Sequence, residues 1–583
     1  MRVLLLHPDD SPLTGPWARQ HWDLIIDMGR SSPFSADRWT QHFRCPVLRS
    51  DSFRQGIADA HRIREIFSFP RRRLLDEVGI DWWDLLSLLV APEGFDLLVL
   101  QRVSGELRPE YEFWSTRHQG PVRILEALLG RSIQSFGGGV LARSAARAMH
   151  YAGLVRRFSP RQLKEIFFDK YDPAYEWRSR ATSKPRPCAE PVVLVPSAYG
   201  NVSRTAFAFA RLLPRQSFLL MATRESAKKI ASAPNVDIRD LSAYATRRPL
   251  AAEADSLADR WCALKKEFEA VAELRTLESA GVLDPIVGWI RNGLGVRNAW
   301  REVLEQEPVQ AVLCGDDSNV YTRLPVLLAT RRGIPTVDFH HGAIDGRYML
   351  KELPCDLYLA KNEMERDYLV RLCGLPAEKL LLAAPPSIEM LPAHVRVGLR
   401  EAASAIFFSE PYENAGMRAE EVYAEILPEL LRLAVANQRS LVIKLHPFES
   451  RDQRRRIVVD ILGSQDAKRV NVVDGPLTPE LLAQAWFGVT IESTTVIDCL
   501  QNGICCFLCG WLSLSPYGYA QQYARFGVGE MLQDASQIAG IAERVERFNK
   551  TPRTSASWGK TVDPAMLQEW LTAREGSTVR SAS

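Results

Sequence analysis

Short apolar runs rich in Val, Ile, Leu and Phe recur along this chain, each followed by a stretch of helical spacing. That alternation is the signature of parallel β-sheets covered on both faces by helices. Val192-Val-Leu-Val-Pro-Ser, Phe218-Leu-Leu-Met, Ala311-Val-Leu-Cys-Gly, Thr336-Val-Asp-Phe and Leu357-Tyr-Leu-Ala form one series. Ala405-Ile-Phe-Phe-Ser, Leu441-Val-Ile-Lys, Val470-Asn-Val-Val-Asp, Gly488-Val-Thr-Ile and Ile504-Cys-Cys-Phe-Leu form a second, with a helix expected over residues 420–436. A third series opens the chain, where Arg2-Val-Leu-Leu-Leu, Asp23-Leu-Ile-Ile-Asp and Phe95-Asp-Leu-Leu-Val-Leu read as strands.

With 583 residues the chain exceeds one hydrophobic core, so two or three domains are expected. The fold class that follows is α/β, with two tandem Rossmann-like lobes preceded by an additional N-terminal α/β domain. The expected segments are residues 1–185 for the N-terminal domain, 190–390 for the first lobe and 400–583 for the second lobe with C-terminal helices. A linker is expected over the proline-bearing polar stretch 178–191. Residues 253–281 carry apolar side chains at Leu257, Trp261, Leu264, Phe268, Val271 and Leu274, the pattern of an amphipathic surface helix rather than a sustained coiled coil.

Charge narrows the partners. There are 73 Lys and Arg against 70 Asp and Glu, a formal net charge of +3, which gives no general reason to expect nucleic acid. No run approaches the ~20 apolar residues of a membrane span, and the start lacks a signal peptide's apolar region, so a cytoplasmic protein is expected. The basic runs 71–73 and 451–456 read as solvated faces, with peripheral contact at the inner face of a membrane as the other use of such charge. Ten scattered Cys fit reduced thiols, and Cys506-Phe-Leu-Cys509 reads as part of a buried strand. The tract Phe136-Gly-Gly-Gly-Val lacks a following Gly-Lys-Ser/Thr and reads as a turn, and the aromatic segment 167–178 as a clamp between domains.

Polar residues placed where apolar runs stop carry the chemistry. Leu441-Val-Ile-Lys-Leu-His-Pro ends on Lys444 and His446, a cation and an imidazole able to meet phosphate oxygens. Gly488-Val-Thr-Ile-Glu-Ser-Thr-Thr-Val-Ile-Asp passes from strand through a hydroxyl turn into a helix. Glu492, Ser493, Thr494, Thr495 and Asp498 then surround a helix start that favours an anion. Asp338-Phe-His-His-Gly presents His341 beside a tight turn as a general base. Asp316-Asp317, after the 311–315 run, competes for that role. Two adjacent acids there also suit a helix cap, and no metal is expected. His7-Pro8 in the same chain shows that His-Pro alone is unspecific.

Together these stretches resemble the GT-B transferases that build bacterial surface glycans, in particular CDP-glycerol glycerophosphotransferases and CMP-sugar-dependent capsule and sialic acid transferases. His341-Gly342, Lys444-Leu445-His446-Pro447 and Ser493-Thr494 with Asp498 are the matching residues, over roughly residues 190–520. The resemblance implies a transferase with no bound cofactor, whose CMP-, CDP- or UDP-linked sugar or polyol donor is a substrate and whose acceptor is a glycan or lipid-linked glycan. By it His341 is the base, while His446, Ser493 and Thr494 hold the donor phosphate. Teichoic acid polymerases have Asp where this chain has Ile491, and the sialyltransferases take their base from an acidic motif, whose counterpart here is Asp316-Asp317. The primary expectation is an inverting glycosyltransferase. The alternatives are a glycerol- or polyol-phosphate transferase, a sugar-nucleotide 2-epimerase and a non-catalytic glycan- or nucleotide-binding module.

Overall fold

The computed structural model describes residues 1–13, 15–108, 110–118, 120–136, 186–228, 233–245, 250–342, 344, 347–385, 404–512, 518–550 and 561–572. The glycine tract after Phe136, the aromatic segment 167–178 and the first part of the linker lie outside the described residues.

Three wholly parallel sheets carry the fold. The first holds β1 (Arg2–Leu6), β2 (Leu24–Asp27), β3 (Val47–Arg49), β4 (Glu112–Ser115) and β5 (Gln134–Ser135), in the order β3-β2-β1-β4-β5. The second holds β6 (Val192–Ser197), β7 (Ser217–Ala222), β8 (Val236–Asp240), β9 (Val309–Cys314), β10 (Thr336–Phe339), β11 (Leu357–Ala360) and β12 (Leu380–Leu382), ordered β12-β11-β10-β9-β6-β7-β8. The third holds β13 (Ser404–Phe408), β14 (Ser440–Lys444), β15 (Val470–Val473), β16 (Ala485–Thr490), β17 (Cys506–Cys509) and β18 (Glu530–Leu532), ordered β15-β14-β13-β16-β17-β18. The chain is thus α/β, with an N-terminal α/β domain before two Rossmann-like lobes. Every residue of β6, β10, β11, β13 and β17 is buried, as strands covered on both faces require.

Each sheet reverses direction once. The chain starts at an inner strand, adds strands on one flank, then returns to the other flank, leaving a switch point between β1 and β4, between β6 and β9, and between β13 and β16. Loops leaving the carboxyl ends of such a strand pair diverge, and ligands of open α/β sheets bind in that crevice.

Compactness follows contacts rather than chain order. One unit comprises Met1–Asp59, Asp96–Gly138 and Ser387–Trp558, and the other Ala60–Phe95, Gly139–Pro386 and Gly559–Ser583. The first and third sheets therefore share a unit. In it Arg418, at the N-cap of the helix Ala419–Ala436, donates to Asp27 Oδ1 at 3.0 Å and to the carbonyls of His7 at 3.0 Å and Asp10 at 2.8 Å. Its guanidinium lies 5.0 Å over the Trp39 ring. Ser32 bonds Glu425, whose second oxygen accepts from Trp511 at 2.9 Å. In the other unit Val562, Leu567 and Leu571 join the core of the second sheet. The last helix, Pro564–Thr572, therefore belongs there and not with a lobe running from 400 to the C-terminus.

Two sequence expectations change. Phe95-Asp-Leu-Leu-Val-Leu lies in the 24-residue helix Trp82–Gly105, because a short apolar run fits a buried helix as well as a buried strand. Residues 253–281 form two helices, Ala251–Lys265 and Ala272–Ser279, separated by a 3-10 turn, with Leu257, Trp261, Leu264, Phe268 and Leu274 on the buried face. Cys506 and Cys509 are buried in β17 as expected, and none of the ten cysteines is in a disulfide. Among the described residues no helix is long and apolar enough to cross a membrane.

Arg418→Ala strands the buried Asp27 carboxylate and two carbonyls. It should lower the unfolding free energy of its unit by about 3–5 kcal/mol, read from urea midpoints. A loss below about 1 kcal/mol would show that apolar packing alone holds the two sheets together.

Candidate functional site: two sheet switch points

In the third sheet the loops after β13 and β16 meet around one carboxylate. Glu410 Oε1 accepts from Thr490 Oγ1 at 2.8 Å and from the backbone N–H groups of Ile491 at 3.1 Å, Glu492 at 2.9 Å and Ser493 at 3.2 Å. Successive N–H groups turned toward one point form an anion-binding nest, and here Glu410 occupies it. Burial raises the Glu410 carboxyl to about 7, outweighing the hydrogen bonds that favour its charge. The helix Thr495–Gln501 that follows has only seven residues. Ser493 Oγ accepts the Thr495 N–H at 3.3 Å, Thr494 is the N-cap without a side-chain bond, and Thr495 Oγ1 is buried without a partner. Asp498 is half-buried within that helix.

Strand β14 lies beside β13, and its end carries the His-Pro turn. Glu449 binds this turn to the β13 end, accepting the His446 N–H at 2.7 Å and the Ser409 hydroxyl at 2.7 Å. Arg454, 2% exposed, holds Glu449 at 2.7 Å and grips Glu413 with two bonds of 2.7 and 2.8 Å. The basic run 451–456 is therefore partly a buried brace. His446 Nδ1 accepts the Phe448 N–H at 3.2 Å, which in the neutral ring leaves the proton on Nε2 as a donor. Lys444 does not offer its charge to the crevice. It is 6% exposed, and its ammonium donates to the carbonyls of Leu445 and Gly475, each at 2.7 Å.

In the second sheet the loop after β9 carries Gly315-Asp316-Asp317, and the adjacent β10 ends at His340-His341-Gly342. His341 Nδ1 lies 3.3 Å from the Gly315 carbonyl, which can only accept, so Nδ1 holds the proton and Nε2 is the basic atom. His340 stacks on His341 at 4.8 Å, and burial with its neighbour drives its ring well below the usual imidazole range. Asp316 accepts the Ser318 N–H at 2.9 Å. Burial acts to raise its carboxyl, but His341 and His340 outweigh that and hold it below the usual carboxylate range.

Asp317 is a different kind of residue. It is fully buried, with Oδ1 taken by Lys351 and Oδ2 by Arg323 at 2.8 Å, and Arg323 also binds Asp84 at 2.7 Å. A carboxylate held by two buried cations is an ion-pair centre, so the structure does not present Asp317 as a base. Asp338 is also fully buried. Its Oδ2 lacks a partner, and burial beside Asp317 lifts its carboxyl far above the usual range.

No family model matches the sequence, and neither does any curated protein. Solved structures are similar over about two thirds of the chain. The UDP-GlcNAc 2-epimerase from Methanocaldococcus jannaschii aligns at 11% identity, covering 66% of this chain and 99% of that one, with a TM-score of 0.42. The UDP-GlcNAc 2-epimerase from Neisseria meningitidis bound to UDP-GlcNAc aligns at 14% identity over 66% and 99%, TM-score 0.41. CalG4, the calicheamicin glycosyltransferase, aligns at 14% identity over 68% and 100%, TM-score 0.41. At these identities and TM-scores none of the three bears on this chain's chemistry.

The candidate residues thus fall into two groups. His446, Glu492, Ser493, Thr494 and Thr495 gather at the β13/β16 crevice and beside it, with Lys444 turned into the backbone. His341 and Asp316 gather at the β9 and β10 ends. Sequence reading missed Glu410, although its signal was the one used for His446: an apolar run, Ala405-Ile-Phe-Phe, ending on a polar residue before proline.

Two outcomes are expected. Because the folded Glu410 titrates near 7 instead of 4.5, the native chain retains a proton between those values that the unfolded chain has released. Its contribution to stability therefore falls as pH rises from about 4.5 to about 7, and Glu410→Gln should flatten that part of the stability profile. Asp317→Asn should cost about 3–5 kcal/mol because Lys351 and Arg323 lose their shared partner. Asp316→Asn keeps an acceptor for the Ser318 N–H and gives up only the charge that His341 and His340 favour, so it should cost less than Asp317→Asn, and equal losses in both variants would contradict the different roles given to these neighbours.

Proposed function

We propose that the chain is a glycosyltransferase that takes a sugar from a nucleotide-activated donor and passes it to a surface-glycan-type acceptor, with inversion and without a metal. The observation that supports this best is that two independent sets of candidate residues lie at the carboxyl ends of two Rossmann-like sheets, one fitted to an anion and the other to a proton.

Donor binding is assigned to the third sheet. His446 Nε2–H donates to a phosphate oxygen, and the Ser493 and Thr494 hydroxyls and the orphan Thr495 hydroxyl add neutral donors. As the sugar–phosphate bond breaks, charge grows on that phosphate, and donors fixed by the Glu449 and Glu410 networks stabilise it without reorganising. Proton removal from the acceptor hydroxyl is assigned to His341 Nε2, with Nδ1–H oriented by the Gly315 carbonyl. The Asp316 carboxylate favours the imidazolium that forms. CMP-, CDP- and UDP-linked donors are all compatible with this arrangement, and a lipid-linked acceptor would bring the protein to a membrane surface.

A thermal-shift screen against CMP, CDP, UDP, GDP and their sugar or glycerol conjugates tests the donor half. One nucleotide family should raise the midpoint of the wild type, as any ligand of the native state does, and His446→Ala should bind it about 10-fold or more weakly. With that donor and a glycan acceptor, His341→Ala should retain binding while turnover falls about 10²–10⁴-fold. Acceptor-free conversion of the sugar nucleotide would make the chain an epimerase. Phosphate carried into the product would make it a polyol-phosphate transferase, and binding without turnover of any donor a recognition module.

A further inference from the structure

A nucleotide phosphate that leaves a sugar gains a negative charge, and a proton delivered as the bond breaks lowers the barrier. The donors already assigned to the third-sheet crevice hold that phosphate without supplying a proton. His446 Nδ1 accepts the Phe448 N–H at 3.2 Å, which keeps the ring neutral, and a neutral imidazole shares its Nε2–H without giving it up. The hydroxyls of Ser493, Thr494 and Thr495 do not ionise near neutral pH.

Glu410 is built differently. It follows β13 at the switch point, and the residue before it, Ser409, donates to Glu449, whose other oxygen takes the His446 N–H. Glu410 and His446 are thus tied to one braced edge of the sheet. All four donors that meet Glu410 converge on Oε1: Thr490 Oγ1 at 2.8 Å and the N–H groups of 491–493 at 2.9 to 3.2 Å. Oε2 has no partner among the described residues and, in a half-buried side chain, is not sealed from solvent. A carboxyl with one oxygen crowded by donors carries its proton on the other, so the protonated form presents Oε2–H outward.

Burial, assisted by the like charge of Glu492, keeps that proton in place up to about 7. A phosphate monoester takes up its second proton at about 6, so the two groups are matched for exchange. The other titratable groups around Glu410 are Tyr412 in the turn that follows and Cys509 at the end of β17. Burial lifts this phenol and this thiol far above their usual ranges, so neither exchanges a proton near neutrality. Glu449, from the β14 side, is engaged by Arg454 at 2.7 Å.

We propose that Glu410 is the general acid of the transfer, its Oε2–H passing a proton to an oxygen of the departing nucleotide phosphate. The bond between the sugar carbon and the phosphate oxygen breaks, and its electron pair stays on that phosphate. The acceptor oxygen bonds the sugar carbon, and the acceptor's proton goes to His341. Glu410 is left as a carboxylate, which its four donors stabilise, and water reprotonates it once the nucleotide has gone. The inference rests on the donor-binding reading given above.

The test compares wild type, Glu410→Gln and His446→Ala in the full chain, across a pH series that spans neutrality. Gln keeps an acceptor for all four donors and puts an amide NH₂ where the acid stands, a group that donates a hydrogen bond but releases no proton. A merely structural Glu410 predicts near-wild-type turnover in this variant. The acid role predicts that kcat falls about 10²-fold or more with little change in the donor KM. It also predicts that the wild-type decline of kcat as pH rises through about 7 is absent from Glu410→Gln. Calorimetric titration gives a readout besides turnover. Wild-type affinity for CMP, CDP or UDP should weaken as pH rises past about 7, where Glu410 becomes an anion beside the phosphate, while cytidine and uridine, which lack phosphate, bind equally throughout. If Glu410→Gln is unstable by its urea midpoint, this wild-type comparison decides the matter. Wild-type turnover in Glu410→Gln, or a nucleotide affinity flat across neutrality in the wild type, overturns the acid role, and weakened binding in His446→Ala then leaves the donor reading standing. No nucleotide bound by the wild type overturns both.

Discussion

A parallel sheet that begins at an inner strand must build its two flanks in turn, and the right-handed crossovers of the two flanks cover opposite faces. Nothing then fills the space above the carboxyl ends of the two strands at the reversal. The third sheet reverses between β13 and β16, and there the chain gathers Glu410, Thr490 and the N–H groups of 491–493. The second sheet reverses between β6 and β9, and Asp316 follows β9 directly. Polar groups collect at these ends because the rest of each strand is apolar, closed on both faces and unable to hold an unpaired polar group cheaply.

Burial decides which of these polar groups can react. Both oxygens of Asp317 are taken, by Lys351 and Arg323, which leaves none for a substrate proton. Asp338 Oδ2 has no such partner, and desolvation lifts its carboxyl far above the usual range. His340 is held neutral by the same desolvation, whereas half-buried His341 keeps a defined tautomer through one carbonyl. Glu410 lies between these extremes: four donors favour its anion, burial opposes it, and burial prevails by enough to place its titration near neutrality. Residues of one charge type thus differ in role according to whether a partner fully compensates their burial.

Much of this was legible in the sequence. Apolar runs at 192–197, 405–408, 441–444 and 506–509 marked strands because both faces of a covered parallel strand must be apolar. What escaped depends on direction and tertiary context. Lys444 ends β14 and His446 follows two residues later, yet Lys444 folds back onto carbonyls, one of them from the Gly475 loop, which is not its neighbour in sequence. Asp316 and Asp317 are adjacent, but only the second bonds Arg323, one helix turn or two further on, and Lys351, from the next strand-to-strand loop. The run at 95–100 obeys strand and buried-helix patterns alike, and its context decides for helix. The return of Leu567 and Leu571 to the second sheet leaves no local trace, since an amphipathic helix does not say which core it serves.

Six residues, Asp27 to Ser32, concentrate the bonds between the first sheet and the third-sheet side of the unit. Asp27 is fixed by Arg418, by the Gly29 N–H at 3.1 Å and by the Ser31 hydroxyl at 2.5 Å, while Ser32 is fixed by Glu425. Arg30 sits between these anchors with its own N–H bonded to Gly416, so its backbone is held on both sides. Along this edge the N-terminal sheet thereby buries an ion pair, Asp27 with Arg418, that secures it to the third-sheet side of the unit.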